Sequence, residues 1–418
     1  MRILQVSDSD ESGGAARAAR RLHEALIRDG VTSSIGVQRK YSDREDVHGP
    51  YTFLQKLQAK AGPWMQAAEL RGYPARRGEG FSSARVPYPH FRQVVESLTP
   101  NVVHLHGIDR GFLRLEQLGG IKQPIVWTLH DMWPFTGGCH YSLECDRFGT
   151  RCGSCPYLGS TRSRDLSSRT LSRKDKAWRK LNLTLVAPSR WMAEQAAASA
   201  LLGERETVVV PNALDTQVFK PLDSGFARRA LNLPTEPMLI LFGAVAATTD
   251  PRKGFDLLLD AMRRLPKGTT SRRIELVVFG ASSTEHAKRV AIPMRFFGHV
   301  RDDVTLAMLY SACDVTVAPS VQESFGLTAA ESLACGTPVV AFGGTGLDDV
   351  VDHRTNGYLA ANGDPVDLAR GLEELSRTVG TRRYSQFSRL GRAKAVSTFD
   401  REPVARAHRE LYQRLAVE

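Results

Sequence analysis

No apolar run in the chain approaches the ~18 residues that a membrane-spanning helix needs, which argues against an integral helical membrane protein. Acid is in deficit: 45 Asp and Glu stand against 56 Lys and Arg, a formal charge of +11. That deficit points to an anionic partner, whether nucleic acid, an acidic membrane surface or a phosphorylated substrate. No module of interleaved aromatic and basic residues stands out, so nucleic acid is not expected as the partner. Cysteine is sparse, with six in 418 residues, and no basic then apolar leader precedes Met1-Arg2-Ile3-Leu4-Gln5-Val6, which runs into a polar Ser-Asp loop as a first strand does. The expected location is the cytoplasm, with the inner face of the membrane as a surface the charge could favour; there the cysteines are reduced thiols or metal ligands sooner than disulfides. What the chain does have is length and apolar residues, 418 positions at 42% hydrophobic, enough for two domains with sizeable cores.

The most informative stretch is Glu323-Ser324-Phe325-Gly326-Leu327-Thr328-Ala329-Ala330-Glu331. The β-branched run from Cys313 to Ser320 reads as a buried parallel strand, Leu327 to Ala334 as a helix closed by Gly336 and Pro338, and Pro338 to Phe342 as the next strand. Glu323 then lies in the loop at a strand's carboxyl end, Ser324, Phe325 and Gly326 present backbone amides at a helix start, and Glu331 sits about two turns in. Carboxylates accept from sugar hydroxyls, and helix amides attract phosphate oxygens, so a ligand carrying both would fit. Two ordinary solvated glutamates are the plainer alternative. Upstream, Asp250-Pro251-Arg252-Lys253-Gly254 places a basic pair before the helix Leu257 to Leu265, where it can neutralise a diphosphate.

The amino-terminal half repeats the alternation of strand and helix. Gly13 and Gly14, between strand Ile3–Val6 and helix Ala15–Asp29, let backbone approach whatever occupies the helix start. Strands Asn101–Leu105 and Pro124–Leu129 end in His106-Gly107 and His130-Asp131, on the ligand edge of an open parallel sheet. Cys139, Cys145, Cys152 and Cys155 could supply four thiolates to a structural zinc, with His140 able to replace one ligand, or could be free thiols ordering a loop. Tyr41 to Phe91 is the least regular stretch. Its Leu54, Leu57, Trp64, Met65 and Leu70, among Lys56, Lys60, Arg71, Arg76 and Arg77, could lie on an anionic membrane; a helix with its apolar side on the domain and its bases in water is the slightly favoured reading.

The Glu-x7-Glu element, the Pro211-Asn212-Ala213-Leu214-Asp215 hinge and Gly343-Gly344-Thr345-Gly346-Leu347-Asp348 resemble retaining glycosyltransferases of family four, with the Cys139 loop resembling a bacterial exopolysaccharide branch. The resemblance implies an α/β protein of the GT-B fold: two Rossmann-like, doubly wound domains facing a central cleft, residues 1–215 on the acceptor side and 216–399 binding the donor, with helix 400–418 returning to the first. It implies transfer of a sugar from a UDP- or GDP-sugar to a hydroxyl of a glycan or lipid-linked glycan, with no cofactor required. His130, Glu323, Lys253 and Arg252 take catalytic positions; Gly13, Gly14, His299, Val300, Ser324, Phe325, Gly326, Leu327 and Glu331 face the donor; His106 and Asp131 face the acceptor. Two departures stand out: Ala15-Ala16-Arg17 lacks the usual acid after the glycines, and Ala246 or Ala247 stands where a basic residue is common. A nucleotide-sugar 2-epimerase of the same fold is the alternative, and a basic nucleic-acid-binding protein a more distant one.

Overall fold

A computed structural model describes residues 1–77, 80–244, 246–266, 273–282 and 292–417, so Glu418 at the end of the expected returning helix lies outside it. The chain forms two compact units, Met1–Ala213 with Val404–Glu418, and Leu214–Pro403.

The first unit is built on β1 (Arg2–Ser9), α1 (Gly14–Arg28), β2 (Thr32–Arg39), β3 (Val47–His48), α2 (Phe53–Ala68), α3 (His90–Leu98), β4 (Val102–Leu105), β5 (Ile125–Thr128), α4 (Leu166–Trp178), β6 (Leu183–Ala187), α5 (Arg190–Ala197) and β7 (Thr207–Val209). Its sheet is parallel throughout, in the order β3-β2-β1-β4-β5-β6-β7. β4, β5 and β6 are buried at every position, which explains their continuous apolar character: helices cover both faces.

The second unit contains α6 (Ser224–Ala230), β8 (Met238–Gly243), α7 (Phe255–Arg264), β9 (Ile274–Phe279), β10 (Met294–Phe296), α8 (Asp303–Ala312), β11 (Val315–Ala318), α9 (Leu327–Ala334), β12 (Val339–Phe342), β13 (Gly357–Ala360), α10 (Pro365–Ser376) and α11 (Arg382–Lys394). Its parallel strands run β10-β9-β8-β11-β12-β13. In both units the first strand is central and the order reverses beside it, at β1/β4 and at β8/β11. A doubly wound sheet opens a crevice at the carboxyl ends of the strands flanking that reversal, because the helices on either side leave in opposite directions.

α2 corrects the favoured expectation for Tyr41–Phe91. Thr52 and Gln55 form a capping box at its start, and it rests on the unit through Ala59, Gly62 and Gln66. The contact is close: a Cβ at Gly62 would lie 2.4 Å from the Gly111 carbonyl oxygen. Ala59, Gly62 and Gln66 therefore face inward, while Phe53, Leu54, Leu57, Trp64 and Met65 are exposed, Trp64 at 80%. Leu70, just beyond, is buried as expected.

Candidate active site

In the second unit the loops after β8 and β11 meet at the strand reversal. Asp250 accepts the Arg252 amide at 3.0 Å and holds its guanidinium at 3.0 Å, closing the short turn Pro251–Lys253. Gly254 follows at φ 70°, and a Cβ there would lie 1.9 Å from the Pro319 carbonyl oxygen, so only glycine lets the two loops approach this closely. Two further bonds lock them: the Val321 amide donates to the Arg252 carbonyl at 3.0 Å, and Arg252 Nη1 donates to the Gln322 carbonyl at 2.8 Å.

This framework delivers Lys253 Nζ to Glu323 Oε2 at 2.6 Å, with Arg252 Nη1 3.8 Å from the same oxygen. Both side chains of the pair are largely buried, at 15% and 14% exposure. Burial pushes Lys253 down despite the pull of Glu323. The Glu323 carboxylate is also disfavoured by burial, yet Lys253 first and Arg252 second outweigh that and hold it below the usual glutamate range. Sequence reasoning gave Glu323 to a sugar and Lys253 to a diphosphate as separate tasks; the structure makes them one ion pair.

Gly326 sits at φ 95° at the start of α9, where a Cβ would also meet Leu347 Cδ2 at 2.4 Å, so position and conformation both demand glycine. At the amino end of α9 the Ala329 and Ala330 amides already donate to the Gly326 carbonyl, at 3.0 and 3.1 Å, which leaves the Leu327 and Thr328 amides as the ones directed out of the helix start. Ser324 is buried, and Phe325 is a core residue, its ring edge-on to Phe399 with centroids 5.3 Å apart. Glu331 is 2% exposed, and its Oε2 accepts from the Tyr310 hydroxyl at 2.7 Å, a partner that sequence spacing could not reveal. His299 is exposed after β10, while Val300 packs on the unit's core. Asp250 was also missed, although an Asp before Pro at a helical turn start is a readable capping signal.

In the first unit, Gly13 takes φ 97° at the start of α1, and a Cβ at either Gly13 or Gly14 would meet no protein atom within 4 Å, so space stands open at that helix end. His106 and His130 are brought together, Nδ1 to Nε2 at 2.8 Å, and His106 Nε2 meets Gln5 Oε1 at 2.6 Å. With that oxygen facing it, His106 Nε2 carries the proton, Nδ1 accepts from His130 Nε2, and His130 Nδ1 is left with a lone pair. Burial lowers both rings, His130 to about 4, so the pair is neutral at pH 7. Behind them His104 joins Thr128 at 2.7 Å and Tyr412 at 2.5 Å, tying the carboxyl-terminal segment to β4 and β5.

Asp131 is less open to a ligand than the sequence suggested. Its Oδ1 accepts the Trp133 amide at 2.8 Å and its Oδ2 accepts from His140 Nδ1 at 2.7 Å, while His140 Nε2 lies 2.9 Å from Asp109 Oδ2. Burial works against charge on His140, but Asp131 and Asp109 outweigh it and raise the ring to about 10. It is an imidazolium clamped between two carboxylates. Both nitrogens are thus spent, which removes His140 as a substitute metal ligand. The sequence also holds an Asp-x-Asp, Asp8-Ser9-Asp10, but Asp8 pairs with Arg39 at 2.7 Å and Asp10 accepts the Tyr41 and Ser42 amides, both at 2.9 Å.

The four cysteines of the loop line one small cavity together with Phe81, Phe148 and Arg147. Burial pushes Cys139 up to about 12 and Cys152 up to about 11, so these thiols stay protonated near neutrality. Among the described residues, no three His, Cys, Asp or Glu side chains are arranged to hold a metal ion. The four thiols pack around that cavity as free cysteines. The loop is braced instead by Lys174, whose buried ammonium donates to the Trp133 carbonyl and to the Thr136 carbonyl at 3.0 Å and lies 3.8 Å from the Trp133 ring centre.

Known proteins agree with this architecture. The model of glycosyltransferase family 4 matches residues 12–218, and that of the glycosyl transferases group 1 matches residues 236–378. A D-inositol 3-phosphate glycosyltransferase of Geodermatophilus obscurus is 36% identical over 200 residues, 43% of this chain and 44% of that protein. One from Streptosporangium roseum is 37% identical over 177 residues, 39% and 40% of the two chains, so the match spans less than half of either relative. Sucrose-phosphate synthase from Thermosynechococcus elongatus superposes with a TM-score of 0.69 at 20% identity over 99% of both chains. Anabaena Alr3699/HepE in complex with UDP-glucose does so with a TM-score of 0.65 at 18% identity, again over 99% of both. At such identities the likeness is one of fold, and the fold is GT-B. With two parallel α/β units of this kind, and family models in succession along both, the chain belongs to glycosyltransferase family four.

Proposed function

We propose that this protein transfers a hexose from a nucleotide-diphosphate sugar to a hydroxyl of a glycan or lipid-linked glycan, with retention at the anomeric carbon, in the cytoplasm and in the service of extracellular or capsular polysaccharide synthesis. The observation that carries this reading is the buried Lys253–Glu323 pair, with Arg252 beside it, at the strand reversal of the second unit. A site of this kind offers a diphosphate two cations and the amides of α9, and offers sugar hydroxyls a carboxylate held ionised. The UDP-glucose complex of Alr3699/HepE supports a uridine nucleotide, with a guanosine one the other candidate. The inositol phosphate acceptor in the names of the curated relatives supports a hydroxyl as the receiving group.

In the proposed reaction the bond from the anomeric carbon to the diphosphate oxygen breaks and that oxygen keeps the electron pair. Arg252, Lys253 and the amides at Gly326 and Leu327 take up its developing charge, so no cofactor is called upon for that task. The acceptor oxygen attacks from the same face, and its proton passes to the departing phosphate. Glu323 orients the sugar hydroxyls. Glu331, fixed by Tyr310, holds the ribose; His299 and Val300 flank the base; Gly13 and Gly14 leave room for the donor phosphates. In the first unit His130, its tautomer fixed by His106, offers its Nδ1 lone pair to a sugar hydroxyl, and Asp131 is assigned to the acceptor side.

Product analysis with and without acceptor tests this. Transfer of label from UDP-glucose or a related donor to an added glycan, with retained configuration by NMR, is expected; release of a free 2-epimerised sugar without transfer would replace the reading with an epimerase.

A further inference from the structure

α2 carries an apolar face that looks away from the protein. Advancing about 100° per residue, Phe53, Leu54, Leu57, Ala61, Trp64, Met65 and Ala68 fall within a sector of roughly 120°. The inward seam of Ala59, Gly62 and Gln66 lies on the other side of the helix. The large members of that sector are exposed, from 53% at Leu57 to 80% at Trp64, and Tyr51 beside the helix start is 63% exposed. Scattered exposed leucines need no explanation, but one helix face with Phe, Trp, Met and two Leu does.

The charges within this helix have one sign, and Glu69 just beyond it lies 3.6 Å from Arg85. Lys56 and Lys60 border the apolar sector, and from Val47 to Ala68 the sequence holds no Asp or Glu. A second copy docking through the same patch would bring these lysines against one another, which disfavours a symmetric dimer. An anionic phospholipid surface satisfies both features: the aromatic and aliphatic side chains enter the boundary between headgroups and acyl chains, and the lysines remain at the headgroups. The helix is suited to bear that load because it is capped by Thr52 and Gln55 and anchored through backbone contact at Gly62 and Gly111.

We infer that α2 is an interfacial anchor that docks the first unit on an anionic lipid surface through Phe53, Leu54, Leu57, Trp64 and Met65, with Lys56 and Lys60 supplying the preference for negative headgroups. The inference stands on the exposure of this helix and does not depend on the proposed reaction.

Sedimentation with vesicles tests it. The full chain should sediment with phosphatidylcholine vesicles containing about one-third phosphatidylglycerol and much less with phosphatidylcholine alone. Phe53→Ser with Trp64→Ser, and separately Lys56→Glu with Lys60→Glu, should each lower the partition coefficient at least about tenfold. Melting temperatures should stay unchanged, since all four side chains face water. Wild-type protein left in the supernatant, or either double variant sedimenting like wild type, would overturn the inference. So would a lipid-free dimer, seen by light scattering, that the Phe53/Trp64 variant abolishes, because a second copy would then be the occupant.

Discussion

Lys253→Met is expected to lower kcat for sugar transfer, or for donor hydrolysis in the absence of acceptor, by about 10²–10³-fold, the range found when one preorganised group facing a developing oxyanion is removed. Methionine keeps the apolar stem and removes only the charge. The fall should appear in kcat more than in KM, because the ammonium gains most as the leaving diphosphate acquires charge. Arg252, whose Nη1 lies 3.8 Å from Glu323 in the wild type, should preserve part of the local positive field. A Lys253→Met protein within about threefold of wild type would show that the charge of the leaving group is met elsewhere.

The second large effect concerns stability. Glu323→Ala leaves the Lys253 ammonium buried, unpaired and next to Arg252, and breaking one side of such a pair costs about 3–5 kcal/mol at full burial, less here because each side chain keeps about 15% exposure. A loss of about 2–4 kcal/mol is expected in urea unfolding. The double variant Glu323→Ala with Lys253→Met removes both charges and should recover most of that loss while remaining inactive. This combination separates the pair's structural role from its chemical one. Strictly additive losses in the double variant would mean that the two groups do not interact in the folded protein. Because of this coupling, Glu323→Ala is a poor probe of sugar recognition alone: the lost carboxylate also lets Lys253 shed its proton more readily. Glu323→Gln keeps an acceptor for the sugar and is the cleaner comparison.

How far the sequence reached depended on the range of the interaction. Local features were legible. α9 begins at Leu327 and ends at Ala334, as its helix-forming composition between Gly326 and Gly336 indicates, and the apolar runs at β11 and β12 read as strands, the first of them as a buried parallel one. Contacts between distant positions were not. Lys253 and Glu323 are 70 residues apart, and nothing in either segment indicates that two loops share backbone bonds that bring their side chains to 2.6 Å. The same holds for Asp109, Asp131 and His140, where two carboxylates close on the two ring nitrogens of one histidine. In α2 the failure was of another kind. Periodicity identifies an apolar stripe but not the direction in which it faces, and here Ala59, Gly62 and Gln66 make the inward contact, with Gly111 too near Gly62 for any side chain there. For Phe325 the sequence reading concerned the backbone amide alone, and the place of its ring, edge-on to Phe399 in the core, was another contact between distant positions.

The central claim is that the Lys253–Glu323 pair and its loops form the donor site. The most direct measurement is the melting temperature of wild-type and Lys253→Met protein with UDP-, GDP- and ADP-sugars at saturating concentration, since a ligand that binds only the folded form raises it. At least one nucleotide sugar should stabilise the wild type by several degrees, an increment reduced by more than half in Lys253→Met. No stabilisation by any member of the panel, or an equal increment in both proteins, would contradict the assignment of this site.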